Sequence, residues 1–323
     1  MTSSMTSENN VESSASAAGP RFIAVASGKG GAGKTLVAAN LAAGLAEAGE
    51  RVVAVDTNLE GANLHTCVGS PAPPLGLADY VAEREEDLGK LAVDTPIANL
   101  RLIAGMHANF SEPHPGHQSR KRLMDSLREM PETDWVVLDL GPGINPAMLD
   151  YFLTADDAVI VVNAEPTSVE STYTFLRAAF LHRLRLTMVG HGVRRLVAQA
   201  MDPRNESGIR TPLDLLREVE SLDPVEAIRF VEATRSFQPR IVVNGVRTAD
   251  DVRLGFSVAS VCRRYFGVEA DYLGYINYDD AVRQSVSARS PVVKFAPESD
   301  ASVYFERIAR KLIGQKQAAA EAG

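Results

Sequence analysis

Seven short apolar runs punctuate this chain: Arg21–Ser27, Arg51–Asp56, Leu100–Ala104, Trp135–Leu140, Ala158–Asn163, Arg240–Asn244 and Asp271–Ile276. Apolar side chains stand largely on successive positions within them, as a strand covered on both faces requires. Between the runs the spacing turns helical. From Thr35 to Gly49 Ala and Leu dominate, Leu41 and Leu45 stand one turn apart, and Gly49 marks the end. Strand-like runs alternating with helices predict an α/β fold: a doubly wound, mainly parallel sheet with helices on both faces.

The rhythm breaks once. Between Leu181 and Pro239 no strand-like run occurs, whereas Leu213–Val219 and Val225–Val231 have helical spacing. This predicts a helical insertion over about 182–238. Its basic residues Arg183, Arg185, Arg194 and Arg195 alternate with apolar ones, as on a solvated helix face; a partner-docking surface is the sharper alternative. Residues 1–20, rich in Ser, Ala, Asn and Thr, bury too little to offset the entropy of ordering and read as a disordered tail. The main domain spans 21–313, closed by a helix over Val303–Ile313. Its stripe of Phe305, Ile308, Leu312 and Ile313 suits core packing better than a membrane surface, being short. Residues 314–323 read as a flexible tail of small side chains.

At 323 residues and 45% hydrophobic content the chain can bury a sizeable core. No run approaches the ~20 apolar residues of a membrane span, and the N-terminus lacks signal-peptide character, which together predict a cytoplasmic protein. Peripheral association with the inner face of a membrane stays open. The net charge of −8 argues against nonspecific DNA as a partner, and the cluster Arg120-Lys121-Arg122 reads as a solvated helix face. Cys67 and Cys262 lack paired spacing, which disfavours an iron–sulfur carrier or a disulfide framework.

The chemistry is concentrated in Gly28-Lys29-Gly30-Gly31-Ala32-Gly33-Lys34-Thr35, a G-x-x-x-x-G-K-T phosphate loop between a strand-like run and a helix. Its glycines let backbone N–H groups turn inward around phosphate, at a helix N-terminus that favours anions. Lys34 should reach the β- and γ-phosphates and Thr35 should ligate Mg²⁺, so ATP and Mg²⁺ are the expected cofactors. Asp56 and Asp139 end two apolar runs, and ligands of doubly wound sheets bind beyond the carboxyl ends of the strands. Both therefore become metal candidates, Asp139 through water, with Gly141-Pro142-Gly143 as a loop that senses the γ-phosphate.

These segments resemble the deviant-Walker ATPases, the class of MinD, ParA and the flagellar-number regulator FlhG. The loop fits the class signature K-G-G-x-G-K-T; Asn40-Leu41-Ala42, Asp56–Leu64 and Asp139–Gly143 resemble further class motifs. The likeness spans residues 21 to about 313 apart from the insertion, and implies a P-loop NTPase fold of the SIMIBI-like kind. It further implies that Lys29 crosses a nucleotide-sandwich dimer to the partner's phosphates, and that Asn244 and the segment Leu273–Val293 close over the adenine. The class normally reads Asp-x-Asp where this chain has Asp56-Thr57-Asn58, and an amide cannot accept a proton from the attacking water. Glu60, two residues on, is a candidate substitute carboxylate, although a two-residue shift in a tight loop usually aims a side chain elsewhere. The expectation is an ATP-dependent homodimeric switch with slow hydrolysis, which positions or counts a cellular structure such as a division site or flagellum. Its protein partner would dock at the switch loops or the insertion. A hydrolysis-deficient ATP-bound scaffold is the alternative. The N-terminal segment has no Gln-rich activating motif of the FlhG kind.

Overall fold

The computed structural model describes residues 19–59, 61–105, 116–201, 209 and 211–322. Residues 1–18 of the expected tail and Glu60 lie outside the described residues. Strands β1 (Arg21–Ala26), β2 (Val52–Asp56), β3 (Val93–Asp94), β4 (Leu100–Ile103), β5 (Trp135–Asp139), β6 (Asp157–Val162), β7 (Arg240–Val246) and β8 (Asp271–Asn277) form one sheet. Their order is β3-β4-β2-β5-β1-β6-β7-β8, with every neighbouring pair parallel except β3 and β4. Each of the seven apolar runs is a strand. Two-residue β3 is an addition, too short to leave a pattern.

In chain order the first helices are α1 (Lys34–Glu47), α2 (Leu64–Cys67), α3 (Leu77–Val81), α4 (Leu88–Leu91), α5 (His117–Arg128) and α6 (Pro146–Thr154). Then come α7 (Pro166–Thr187), α8 (His191–Met201), α9 (Pro212–Leu222), α10 (Pro224–Arg235) and α11 (Ala249–Val261), and last α12 (Asp280–Ser287), α13 (Val292–Phe295) and α14 (Asp300–Ala322). Alternate strand residues bury against opposite layers. Ile23 and Val25 join Leu41 and Leu45 of α1 with Phe305 and Leu312 of α14, while Phe22 and Ala24 join Leu123, Phe152, Phe175 and Leu215. No helix among the described residues is long and apolar enough to cross a membrane.

Local signals explain the helix starts. Pro occupies the first turn of α6, α7, α9 and α10, where its missing N–H has no cost. Asn145 caps α6 by accepting from Met148 N, and Thr211 with Asp214 forms a capping box on α9. Two sequence expectations need correction. The start of the insertion at 182 falls inside α7, whose 22 residues run unbroken to Thr187 because apolar positions persist through Leu184. Residues 314–322 are not a loose tail but the last turns of α14. Ala is the strongest helix former, and the Lys316 ammonium ties these turns down on Glu50 at 3.1 Å and on the Asp134 carbonyl at 3.2 Å.

Candidate nucleotide site

Parallel register brings the chemistry to one edge. Val25 of β1 and Asp56 of β2 both stand level with Asp139 of β5, so the phosphate loop and the two carboxylates leave the sheet together. Gly31 and Gly33 take φ of 81° and 93°, left-handed values that L side chains rarely adopt. A Cβ on Gly30 or Gly31 would meet open space, so neither glycine is kept by crowding from the protein itself. On Gly33 it would lie 2.4 Å from the Asn244 amide, whose Nδ2 donates to the Ala32 carbonyl at 2.9 Å. Asn244 thus braces the loop from β7.

Lys34 opens α1 and is buried, and that burial lowers its pKa against the raising effect of the Asp139 charge. Asp139 is 1% exposed, and its Oδ1 has no hydrogen-bond partner. The Thr35 hydroxyl is close enough to the same carboxyl group to pull its pKa down. Asp56 is anchored instead: Oδ1 accepts from Asn58 N, and Oδ2 from Asn63 N and Leu64 N, each at 3.0 Å. Burial pushes both carboxyls up, Asp139 to about 8, with the Asp56 charge adding to it, and Asp56 to about 6, against the pull of the three amides. An orphaned buried carboxyl oxygen near a hydroxyl and a buried lysine fits a hard divalent cation carrying phosphate. Thr35 and Asp139 are the open oxygen donors, with Asp56 behind them.

Asn58 donates its Nδ2 to the Gly61 carbonyl at 3.1 Å. With Thr57, Gly141, Pro142, Asn145 and Met148 it lines a cavity of about 240 Å³ between the loop after β2 and the loop after β5. On the other side, Val246, Arg247, Asn277 and Tyr278 line an opening where the Arg247 guanidinium lies 3.5 Å from the centre of the Tyr278 ring. Lys29 stands apart from Lys34. Its Nζ donates to Glu165 Oε2 at 2.7 Å and to Thr167 Oγ1 at 3.0 Å, both at the start of α7. Sequence reasoning missed Glu165 and Thr167, since a contact across 136 residues leaves no local signal. Cys67 on α2 and Cys262 just past α11 are separate thiols, both pushed up by burial.

Residues 20–185 match the model of the family described as AAA domain. The antiactivator FleN of Pseudomonas aeruginosa is 26% identical over 294 residues, which is 90% of this chain and 86% of that protein. The septum site-determining protein MinD of Bacillus subtilis is 24% identical over 294 residues, covering 91% and 89%. The solved MinD of Pyrococcus horikoshii, complexed with Mg-ADP, superposes with a TM-score of 0.60 at 21% identity over 91% of this chain and 96% of that one, a likeness of fold.

Proposed function

This chain belongs to the AAA domain family, as a P-loop ATPase of the MinD/ParA class, and from that premise we propose an ATP-dependent dimerising switch that hydrolyses ATP slowly. Its output is a surface complete only in the ATP state, offered to a protein partner at the switch loops or the helices before β7. The names of its relatives, antiactivator and septum site-determining protein, support a role in setting the number or place of a cellular structure. One observation carries the reading: Lys29, a phosphate-loop lysine by sequence, is bonded to α7 and not into its own cradle. A cation held at α7 and turned away from its own cradle is available to a neighbour's nucleotide, where charge supplied in trans stabilises a transferring phosphoryl group.

Bound ATP with Mg²⁺ supplies the transferable phosphoryl group and the divalent charge that offsets it. The loop amides from Gly28 to Lys34 cradle the phosphates, and Lys34 neutralises them. Thr35 and Asp139 would hold the metal, Asp139 through water, with Asp56 fixing the adjacent loop. Asn244 braces the cradle on the side where Val246, Arg247 and Tyr278 would receive the base. Asn58 would orient the attacking water by hydrogen bonding but take no proton from it, so turnover would be slow.

The same residue favours a second reading, an ATP-bound scaffold that does not turn over. Single-turnover hydrolysis of the wild type and of Asn58→Asp separates the two. The switch predicts slow measurable hydrolysis that rises in the variant by up to roughly 10²- to 10⁴-fold, the range a positioned base contributes. No hydrolysis by either protein leaves the scaffold.

A further inference from the structure

The cation that the dimer needs is already engaged at home. We propose that Glu165 and Thr167 are positioning residues: they dock the Lys29 ammonium within its own chain and release it when a second copy presents its triphosphate. The proposal rests on the switch reading above.

Geometry makes the dock a built feature. Gly28 lies against the backbone of α7, where a Cβ would fall 2.2 Å from the Ser171 carbonyl oxygen and 2.4 Å from Thr172 N. The root of Lys29 is therefore pinned within reach of the start of α7, and its ammonium takes two oxygens there, from Glu165 and Thr167. Glu165 is the residue before the first turn, yet its side chain makes no capping bond to the helix. Its carboxylate is committed to Lys29 instead. Electrostatics gives Glu165 the deciding part, because the N-terminus of a 22-residue helix carries partial positive charge and repels an ammonium. Without the carboxylate, Lys29 has little reason to stay.

The dock is also weak enough to open. The Lys29 side chain is 31% exposed and that of Glu165 61%. Such pairs hold by a factor of roughly 1.4 to 5, and a symmetric dimer empties two docks, so together they weaken dimerisation by roughly 2- to 25-fold. A triphosphate concentrates more negative charge than one carboxylate and takes the lysine over. Dimerisation is then conditional on the triphosphate and readily reversed when it is lost.

Two measurements on the full chain test this. Sedimentation across a concentration series with ATP and Mg²⁺ gives the dimer dissociation constant of the wild type, Glu165→Gln and Glu165→Asp. Acetic anhydride labelling of the ADP form, read by mass spectrometry at Lys29 relative to Lys121, reports how freely the ammonium reacts. Glu165→Gln is expected to tighten the dimer roughly 2- to 25-fold and to speed Lys29 acetylation, with Glu165→Asp close to wild type. An unchanged acetylation rate, or a dimer no tighter in Glu165→Gln, overturns the dock. Were ATP to leave the wild-type mass unchanged, the switch reading itself would fail, and the acetylation rate would still decide whether Glu165 holds Lys29.

Discussion

Asp139 and Asp56 set the pH behaviour of the site. Each keeps its proton in the folded, metal-free protein to a higher pH than in the unfolded chain, where Asp titrates near about 4. The folded state then binds more protons, so stability from this pair is fully present below about pH 4 and is lost as pH rises toward about 8. In the proposed site Mg²⁺ would take only the ionised form, so its binding would expel protons and strengthen with pH. Thermal melts should therefore show a larger stabilisation by Mg²⁺ at pH 8 than at pH 6; equal shifts would show that these carboxyls are already ionised at pH 6. The loop residues were legible because their chemistry is local: glycines, Lys34 and Thr35 sit together in one octapeptide. Glu165 was not, because only tertiary packing brings it to Lys29.

At the scale of elements, α7 and α14 carry the mechanics. Gly28→Ala would drive a methyl into the α7 backbone, which cannot yield as a flexible side chain would. The variant should lose nucleotide binding while keeping its helical content, measured by equilibrium titration and circular dichroism; wild-type affinity would mean α7 is free to shift. The end of α14 was misread because small residues after Gly314 resemble a linker, although Ala favours a helix once one is under way. Lys316 holds that end, paired with Glu50 and 5.0 Å from the Trp135 ring centre. Lys316→Ala should cost about 1 kcal/mol in urea unfolding. No change would show that the final turns add nothing to the fold. Pro at the first turns of α6, α7, α9 and α10 was visible in the sequence, and it locates helix starts that apolar spacing alone blurs.

On the scale of the molecule, the strand order determines what meets. β5 lies between β2 and β1, so three chain segments far apart in sequence end side by side, with the phosphate loop and both carboxylates on one rim. The parallel sheet was readable because buried strands are apolar throughout. Their lateral order was not, since no run encodes its neighbour. The rim leaves Lys29 at the boundary between the chain's own α7 and solvent.

Light scattering of the purified chain with ATP and Mg²⁺, against the same protein with ADP, tests the central claim most directly. The wild type should double its mass with ATP and remain a monomer with ADP, and Lys29→Ala should bind ATP yet stay monomeric. A wild-type mass that ignores the nucleotide, or a Lys29→Ala protein that doubles like its parent, would contradict the account.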